Sequence, residues 1–107
     1  MLLETETVTI LRTRSGKPVG GIAPVVTTRV DIVGCDVDPV GSDETLGADV
    51  PVIARYRVIT GDGDVREDVE EQDQAEWRGR TYDILGEPQH YYDVLPHSEF
   101  VIARAKG

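Results

Sequence analysis

The stretch DQAEWRGRTYDILGEP, residues 73–88, predicts a β-hairpin. A short strand ends at Trp77, the pair Arg78 and Gly79 follows, and a second strand begins directly after it. Gly79 is expected to make the turn, because a residue without a Cβ adopts positive φ at no steric cost. The chain should therefore reverse direction within two residues and continue antiparallel to itself.

The second strand of this hairpin alternates in the way of a sheet that has one wet face. Tyr82 and Ile84 fall on one side, whereas Thr81 and Asp83 fall on the other. We expect Trp77 to face Thr81 or Tyr82 across the turn.

The strand is followed by Gly86, Glu87 and Pro88. Pro88 is expected to end the strand ladder, since proline has no N–H to donate. Gly79, Gly86 and Pro88 are therefore assigned to structural turns.

Composition extends the β prediction to the whole chain. At 107 residues and 11.8 kDa, residues 1–107 fit a single domain with one small core. Val and Ile are prominent, Met and Phe occur once each, and eleven Gly and six Pro punctuate the sequence. No apolar run approaches the roughly 20 residues of a membrane helix, and the N-terminus lacks signal-peptide features. We expect a soluble, unprocessed, all-β protein.

Alternating apolar residues predict further strands, at residues 6–12, 27–33, 51–60 and 99–104. Each segment is too short to be stable alone, and closure into a barrel is the simplest way to protect the strand edges. The predicted fold is a small closed or partly open antiparallel β-barrel of five to seven strands.

Three connections between these strands are long for so small a domain: residues 13–24, 36–49 and 61–72. Most connections span about 4 to 6 residues, and structureless loops of about a dozen residues are usually functional or disordered. The loops are therefore expected to be the working surface. In the third loop Val65 and Val69 are four apart, so residues 64–72 either form one or two helical turns or stay a solvated acidic loop.

The formal net charge is −9, from 20 acidic and 11 basic residues. Such a chain repels phosphate, which argues against a protein that holds nucleic acid through Lys and Arg. The charge does not argue against a protein that encircles DNA and lets it slide. A single cysteine, Cys35, excludes an internal disulfide and fits a reducing compartment.

The sequence offers no convincing catalytic or metal chemistry. His90 and His97 are seven apart without a cysteine partner, which is not zinc spacing, and they are interpreted as surface histidines in a loop. Cys35 is interpreted as a small buried residue at a strand end. Asp62 and Asp64 flank a glycine without the order of a calcium loop, so a turn explains them. We expect no enzyme activity, no cofactor and no metal.

The order of several short motifs resembles one known family. The motifs are VGCDVDP at 33–39, the strand 52–58, DQ at 73–74, Gly79, Tyr82, GEP at 86–88 and RAKG at 104–107. Over residues 7–107 this order is similar to the head-closure proteins, or head-to-tail stoppers, of long-tailed bacteriophages, most of all those of actinobacteriophages. The chain differs from that pattern in a longer, more acidic segment at 64–72 and in lacking a Gly-Trp-type turn after Pro88.

The resemblance implies a structural β-barrel protein of the virion that assembles in the host cytoplasm as a homo-oligomeric ring, expected to be a hexamer. The ring would lie in the neck of the particle, between a head-tail adaptor or portal-side ring and the tail terminator or tail tube. It would seal the DNA channel after packaging, dock the tail and open for genome ejection. Double-stranded viral DNA would pass through the lumen without specific binding, and no membrane would be involved.

Two alternatives remain open. The chain could be a neighbouring head-tail adaptor or tail-completion protein, although adaptors should contain more helix. It could also be an unrelated small-barrel binding module whose acidic loops recognise a basic ligand.

Within the stopper interpretation the acidic loops are the candidate channel or gate. We expect one loop to project into the channel and the other to contact a neighbouring subunit or ring. Copies of an acidic loop repel one another, so a closed gate would need backbone pairing, a cation or partner contacts. The carboxylates are Asp36, Asp38, Asp43, Glu44 and Asp49 in the first loop, and Asp62, Asp64, Glu67, Asp68, Glu70 and Glu71 in the second.

Four arginines are candidate intersubunit contacts to such carboxylates: Arg55, Arg57, Arg78 and Arg80. Each exposed pair would contribute about 0.2 to 1 kcal/mol. An ordinary solvated sheet face explains them equally well. Trp77 is either an anchor of the barrel core or an anchor of the ring interface.

Overall fold

The structure is a computed structural model that describes residues 6–40 and 52–105. The regular structure in these residues is entirely β. Six antiparallel strands follow one another as β1 Glu6–Ser15, β2 Val25–Pro39, β3 Val52–Ile59, β4 Gln74–Trp77, β5 Arg80–Tyr91 and β6 His97–Ala105.

The strands form a closed ring in the order β1-β2-β3-β6-β5-β4. β4 closes the ring by pairing with β1, where Gln74 is opposite Leu11. Because every strand has a neighbour on both sides, the small body has few free edges. The predicted all-β antiparallel barrel is confirmed, and six strands lie within the predicted range.

The core lies inside the ring and follows the period-two pattern of the sequence. Strand residues on the inner faces are buried, among them Val8, Ile10, Ile32, Val58, Phe100 and Ile102. An aromatic group lies beside them: the ring centroid of Tyr56 is 4.8 Å from that of Trp77 and 5.9 Å from that of Tyr82. Edge-to-face packing of this kind adds about 0.5–1.5 kcal/mol to the area that the rings bury.

The β4–β5 hairpin forms as predicted, around a two-residue turn. Arg78 has φ 50° and Gly79 has φ 76°, the combination of a type I′ turn. The residue opposite Trp77 is Arg80, so the expectation that Trp77 faces Thr81 or Tyr82 is wrong. A two-residue loop fixes this register, and Trp77 meets Tyr82 diagonally, with ring centroids 6.1 Å apart.

Pro88 does not end the ladder, because β5 continues to Tyr91. The register of β5 with β6 shifts between Leu85 and Gln89, and Gly86 has φ 79° within this bulge. Pro88 is buried there. A bulge is one of the few places inside a sheet where the missing N–H of proline is tolerated.

Residues 13–24 are not the long loop that was predicted. β1 runs to Ser15, β2 begins at Val25, and Val19 and Ile22 exchange backbone hydrogen bonds of 2.9 and 3.1 Å. Gly20 and Gly21, with φ of 62° and 82°, make the turn between them. Beyond Leu11 the first strand pairs only with β2, and Arg12 is opposite Thr28, so residues 12–28 leave the barrel as a two-stranded ribbon, the hairpin arm.

The other two predicted loops also differ from expectation. β2 continues through Pro39, so residues 36–39 are strand, while Asp43, Glu44 and Asp49 lie outside the described residues. Residues 61–72, the acidic loop, contain turns and no helix, so the helical alternative is wrong. Val69 is buried in the core, where it packs with residues that are distant in the sequence. It does not make the local contact with Val65 that a helix would make.

Candidate functional site at the arm end of the barrel

Strand direction places three connections at one end of the barrel. β1 and β2 are joined there by the hairpin arm, β3 and β4 by the acidic loop, and β5 and β6 by the turn at residues 92–96. We call this the arm end. The turn between β4 and β5, the end of β2 and the start of β3 lie at the other end of the barrel, so the acidic loop and the end of β2 are at opposite ends.

Arg12 fixes the acidic loop to the base of the hairpin arm. Its Nε and Nη2 donate to the two carboxylate oxygens of Asp73 at 2.8 and 2.6 Å, and Nη2 also donates to the Asp68 carbonyl. The backbone N–H of Glu70 donates to Asp73 at 2.9 Å, and the Glu70 carboxylate lies 3.5 Å from Arg12. The loop therefore has one well-defined position at this corner.

Asp73 is held in its charged form. Burial raises the pKa of its carboxyl, but hydrogen bonds from Arg12 and from the Glu70 N–H more than offset this, so that the pKa lies below its usual 3.8. The same hydrogen bond to Asp73 raises the pKa of Arg12. A bidentate pair of this kind is among the stronger polar contacts in proteins.

A buried polar network fastens the other end of the acidic loop. The Thr60 N–H donates to the Ser98 carbonyl at 3.0 Å, and the Ser98 N–H donates to the Thr60 hydroxyl at 2.8 Å. The Ser98 hydroxyl accepts from the Arg66 N–H at 2.7 Å and lies 2.7 Å from His90 Nδ1. These bonds tie the loop to β5 and β6, so it is anchored at both ends.

The anchored loop presents carboxylates to solvent. Asp64 pairs with Arg66 at 2.6 Å, and the Glu70 carboxylate lies 3.5 Å from Arg12. These two candidate carboxylates therefore make ion pairs that hold the loop in place. Glu67 accepts a hydrogen bond from the Tyr92 hydroxyl. The exposed candidates of this loop are Asp62, Glu67, Asp68 and Glu71.

Of the candidate carboxylates in the predicted loop 36–49, only two lie among the described residues. Asp36 is buried on β2. Asp38 is exposed on the same strand and pairs in register with Arg57 of β3. The prediction that these two residues belong to a loop is wrong, because the strand continues past them.

The arginine candidates have different surroundings. Arg78 pairs with Glu6 at 2.8 Å and lies over the Trp77 ring, 4.7 Å from its centroid. Trp77 Nε1 donates to Glu6 at 3.0 Å, and these two hydrogen bonds, led by that from Arg78, lower the pKa of Glu6. Trp77 is only 7% exposed, so it acts as an anchor of the barrel core in the described structure. Arg57 and Arg80 are exposed, and Arg55 is half-buried.

The histidines and the cysteine belong to the sheet. His90 lies in β5 and His97 begins β6, so their assignment to a surface loop is wrong. His97 Nδ1 lies 2.7 Å from the Leu95 carbonyl oxygen and His97 Nε2 lies 2.9 Å from a Glu99 carboxylate oxygen, and the His97 ring stacks on Tyr91.

Cys35 is buried, and burial raises the pKa of its thiol to about 11, which makes it a poor nucleophile at neutral pH.

The hairpin arm was missed in the sequence, although a signal for it exists. Gly20-Gly21 flanked by Val19 and Ile22 is a two-residue turn between β-forming residues, a hairpin pattern. The Gly- and Pro-rich composition of 13–24 hid this pattern. The arm is rich in exposed apolar side chains.

Comparison of the sequence with family models and with curated proteins finds no match. Within residues 6–40 and 52–105, no group of three or more His, Cys, Asp and Glu side chains is arranged to hold a metal ion. The same residues include no helix with the length and apolarity to cross a bilayer.

Proposed function

We propose that this protein is a head-to-tail stopper: a structural protein that forms a ring in the neck of a long-tailed bacteriophage, seals the DNA channel after packaging, docks the tail and opens for ejection. The observation that supports this best is the arm end of the barrel. There a closed β-barrel presents an anchored acidic loop beside a projecting apolar arm. This arrangement suits a subunit that contacts neighbours and borders a shared pore.

The charge of the acidic loop suits a DNA channel. Carboxylates at a lumen repel the phosphate backbone, so DNA would slide past them without being held. Asp62, Asp68 and Glu71 are exposed, and the loop that carries them is fastened at both ends. Closure of the channel would then be steric and not electrostatic.

The alternatives predict different chemistry. An adaptor of the same neck should contain more helix, and the described residues contain none. A binding module of unrelated function would use the exposed carboxylates to recognise a basic ligand. Such a module would have no effect on packaged DNA, which is the property to measure.

The test uses DNA-filled heads that carry the connector but lack this protein. Added protein should join these heads, stop DNA leakage and permit tail joining. The triple variant Asp62→Asn, Asp68→Asn, Glu71→Gln should still seal, because closure is steric, but should slow ejection, because its lumen repels DNA less. Asp83→Asn, on the outer side of β5, is the matched control and should eject at the normal rate. Heads that retain DNA and accept tails without the protein would show that the proposal is wrong.

A further inference from the structure

The hairpin arm exposes several large apolar side chains. Val19 and Ile22 are each 74% exposed at the tip, and Val25 is 70% exposed. A two-stranded ribbon is marginally stable in water, and contiguous exposed apolar side chains usually mark an interaction site. The exposed apolar side chains therefore indicate that the arm binds a partner.

The arm also differs in charge from the rest of the molecule. Its residues, 12–28, include three basic residues and no acidic one, so the remainder of the chain carries −12 against −9 for the whole. Arg29 pairs with Glu76 near the base of the arm, and Arg14 and Lys17 lie nearer the tip. A basic, apolar arm is complementary to an acidic, apolar surface.

A cleft with that character lies on the outer face of β3, β6 and β5, beside the bulge at Gly86. Its volume is about 240 Å³, enough to admit aliphatic side chains. Leu85, Tyr91 and Val101 supply apolar lining. Glu87 and Glu99 outnumber the one basic residue of the lining, Arg57, so the cleft has a net negative charge. Leu85 and Tyr91 are themselves half exposed.

The strand order separates the arm from the cleft of the same chain. In the ring β1-β2-β3-β6-β5-β4, β1 is three places from β6, and β2 is three places from β5. The arm and the cleft therefore lie on opposite walls of the barrel. A contact between the arm of one copy and the cleft of another joins two different surfaces. Such head-to-tail contacts repeat from copy to copy, and they form a ring where the rotation between copies closes and a filament where it does not.

We infer that the hairpin arm of one copy docks into the β5–β6 cleft of a second copy of this chain, with Val19 and Ile22 against Leu85 and Lys17 beside Glu87. This contact deepens the proposed function and rests on it for its place in a neck ring. It is a property of the purified protein, however, and is tested without heads.

Sedimentation velocity of the purified full-length chain, over a range of protein and salt concentrations, measures the contact. Wild-type protein should self-associate, and salt should weaken the association. The double variant Val19→Asp, Ile22→Asp alters only exposed side chains, and it should weaken self-association by about tenfold or more. Val94→Asp is the matched control: Val94 is 88% exposed on the turn at 92–96, outside both surfaces, and the substitution should leave association unchanged.

A charge exchange identifies the two surfaces. Lys17→Glu and Glu87→Lys should each weaken self-association, because each places like charges in the contact. A mixture of the two variants should associate as wild type does, since every arm then meets a cleft of opposite charge. No rescue in the mixture, or a wild-type chain that stays monomeric up to about 1 mM, overturns the inference. Arm-dependent association of a protein that fails to seal heads would instead contradict the stopper function alone.

Discussion

The guanidinium of Arg12 and the carboxylate of Asp73, 61 residues apart in the sequence, form two hydrogen bonds of 2.8 and 2.6 Å. Arg12 lies where the hairpin arm leaves the barrel, and Asp73 lies where the acidic loop enters β4. The Asp73 side chain is 1% exposed, and that of Arg12 is 23% exposed. This ion pair therefore connects the two features on which the proposed function depends.

Removal of the Asp73 carboxylate should destabilise the protein. Asp73→Ala removes the acceptor of the Glu70 N–H and of two Arg12 hydrogen bonds, and it leaves Arg12 with the Asp68 carbonyl and the nearby Glu70 carboxylate. We expect a loss of about 2–3 kcal/mol in the free energy of unfolding. This is less than for a fully buried pair, because Arg12 stays partly in water. Urea unfolding measures it. Asp83→Ala, at an exposed position, should change the free energy by no more than about 0.5 kcal/mol.

The same ion pair should make the free energy of unfolding depend on pH in the acid range. The pKa of Asp73 is lowered in the folded state, so its contribution is present above the unfolded value of about 3.8 and is lost as pH falls through the lower folded value. Unfolding free energies measured between pH 5 and pH 2 should fall less steeply for Asp73→Asn than for wild type. Equal slopes would show that the ion pair does not perturb this carboxyl.

Gly79 should be required for its backbone conformation alone. Its φ is 76°, and a Cβ added there would meet no atom within 4 Å, so the cost of a side chain is conformational and not steric crowding. Gly79→Ala should lower the free energy of unfolding by about 1–2 kcal/mol. Gly79→Asn should cost less, because asparagine tolerates positive φ better than alanine. Equal losses for the two variants would contradict a turn-based explanation.

His97 should contribute to stability at low rather than high pH. Its hydrogen bond to the Leu95 carbonyl, and then its contact with Glu99, raise its pKa above 6.5. A raised folded pKa gives stability that is complete below the unfolded value and is lost as pH rises through the folded value. An NMR titration of the imidazole should show the higher pKa in wild type, and Glu99→Gln should lower it. An unchanged pKa in Glu99→Gln would exclude a contribution from that carboxylate.

Cys35 should resist thiol reagents in the folded protein. With a pKa of about 11, only about one thiol in a thousand is ionised at pH 8, and the side chain is fully buried. Labelling should therefore be slow in buffer and fast in denaturant. The matched comparison is Cys35→Ser with Val33→Cys, which places the thiol at a position 65% exposed on the same strand and should label rapidly. Rapid labelling of wild type would show that the barrel opens at β2.

The strands and the core follow from local patterns in the sequence. Alternation at Val8 and Ile10 or at Phe100 and Ile102 predicts which side chains face inward, and the structure buries all four. The turn at Gly79 is equally local, since it depends on one residue that accepts positive φ. These features are predictable because the physics that fixes them acts over a few residues.

The candidate site depends on long-range contacts, which spacing does not show. The acidic loop has the i, i+4 valines of a helix, yet burial of Val69 and the bond between Arg12 and Asp73 hold it in another form. Pro88 was expected to stop a strand, because nothing local indicates the bulge that accommodates it. The hairpin arm was missed because its Gly and Pro content outweighed the turn pattern at Gly20-Gly21.

The proposed stopper function is tested most directly by a reconstruction of the neck of the bacteriophage particle that this proposal implies. A stopper should form a closed ring of this chain on the channel axis, between the portal-side connector and the tail, with one of its acidic segments at the lumen. A particle in which this protein is absent from the neck, or lies there with both acidic segments facing away from the axis, would contradict the stopper function.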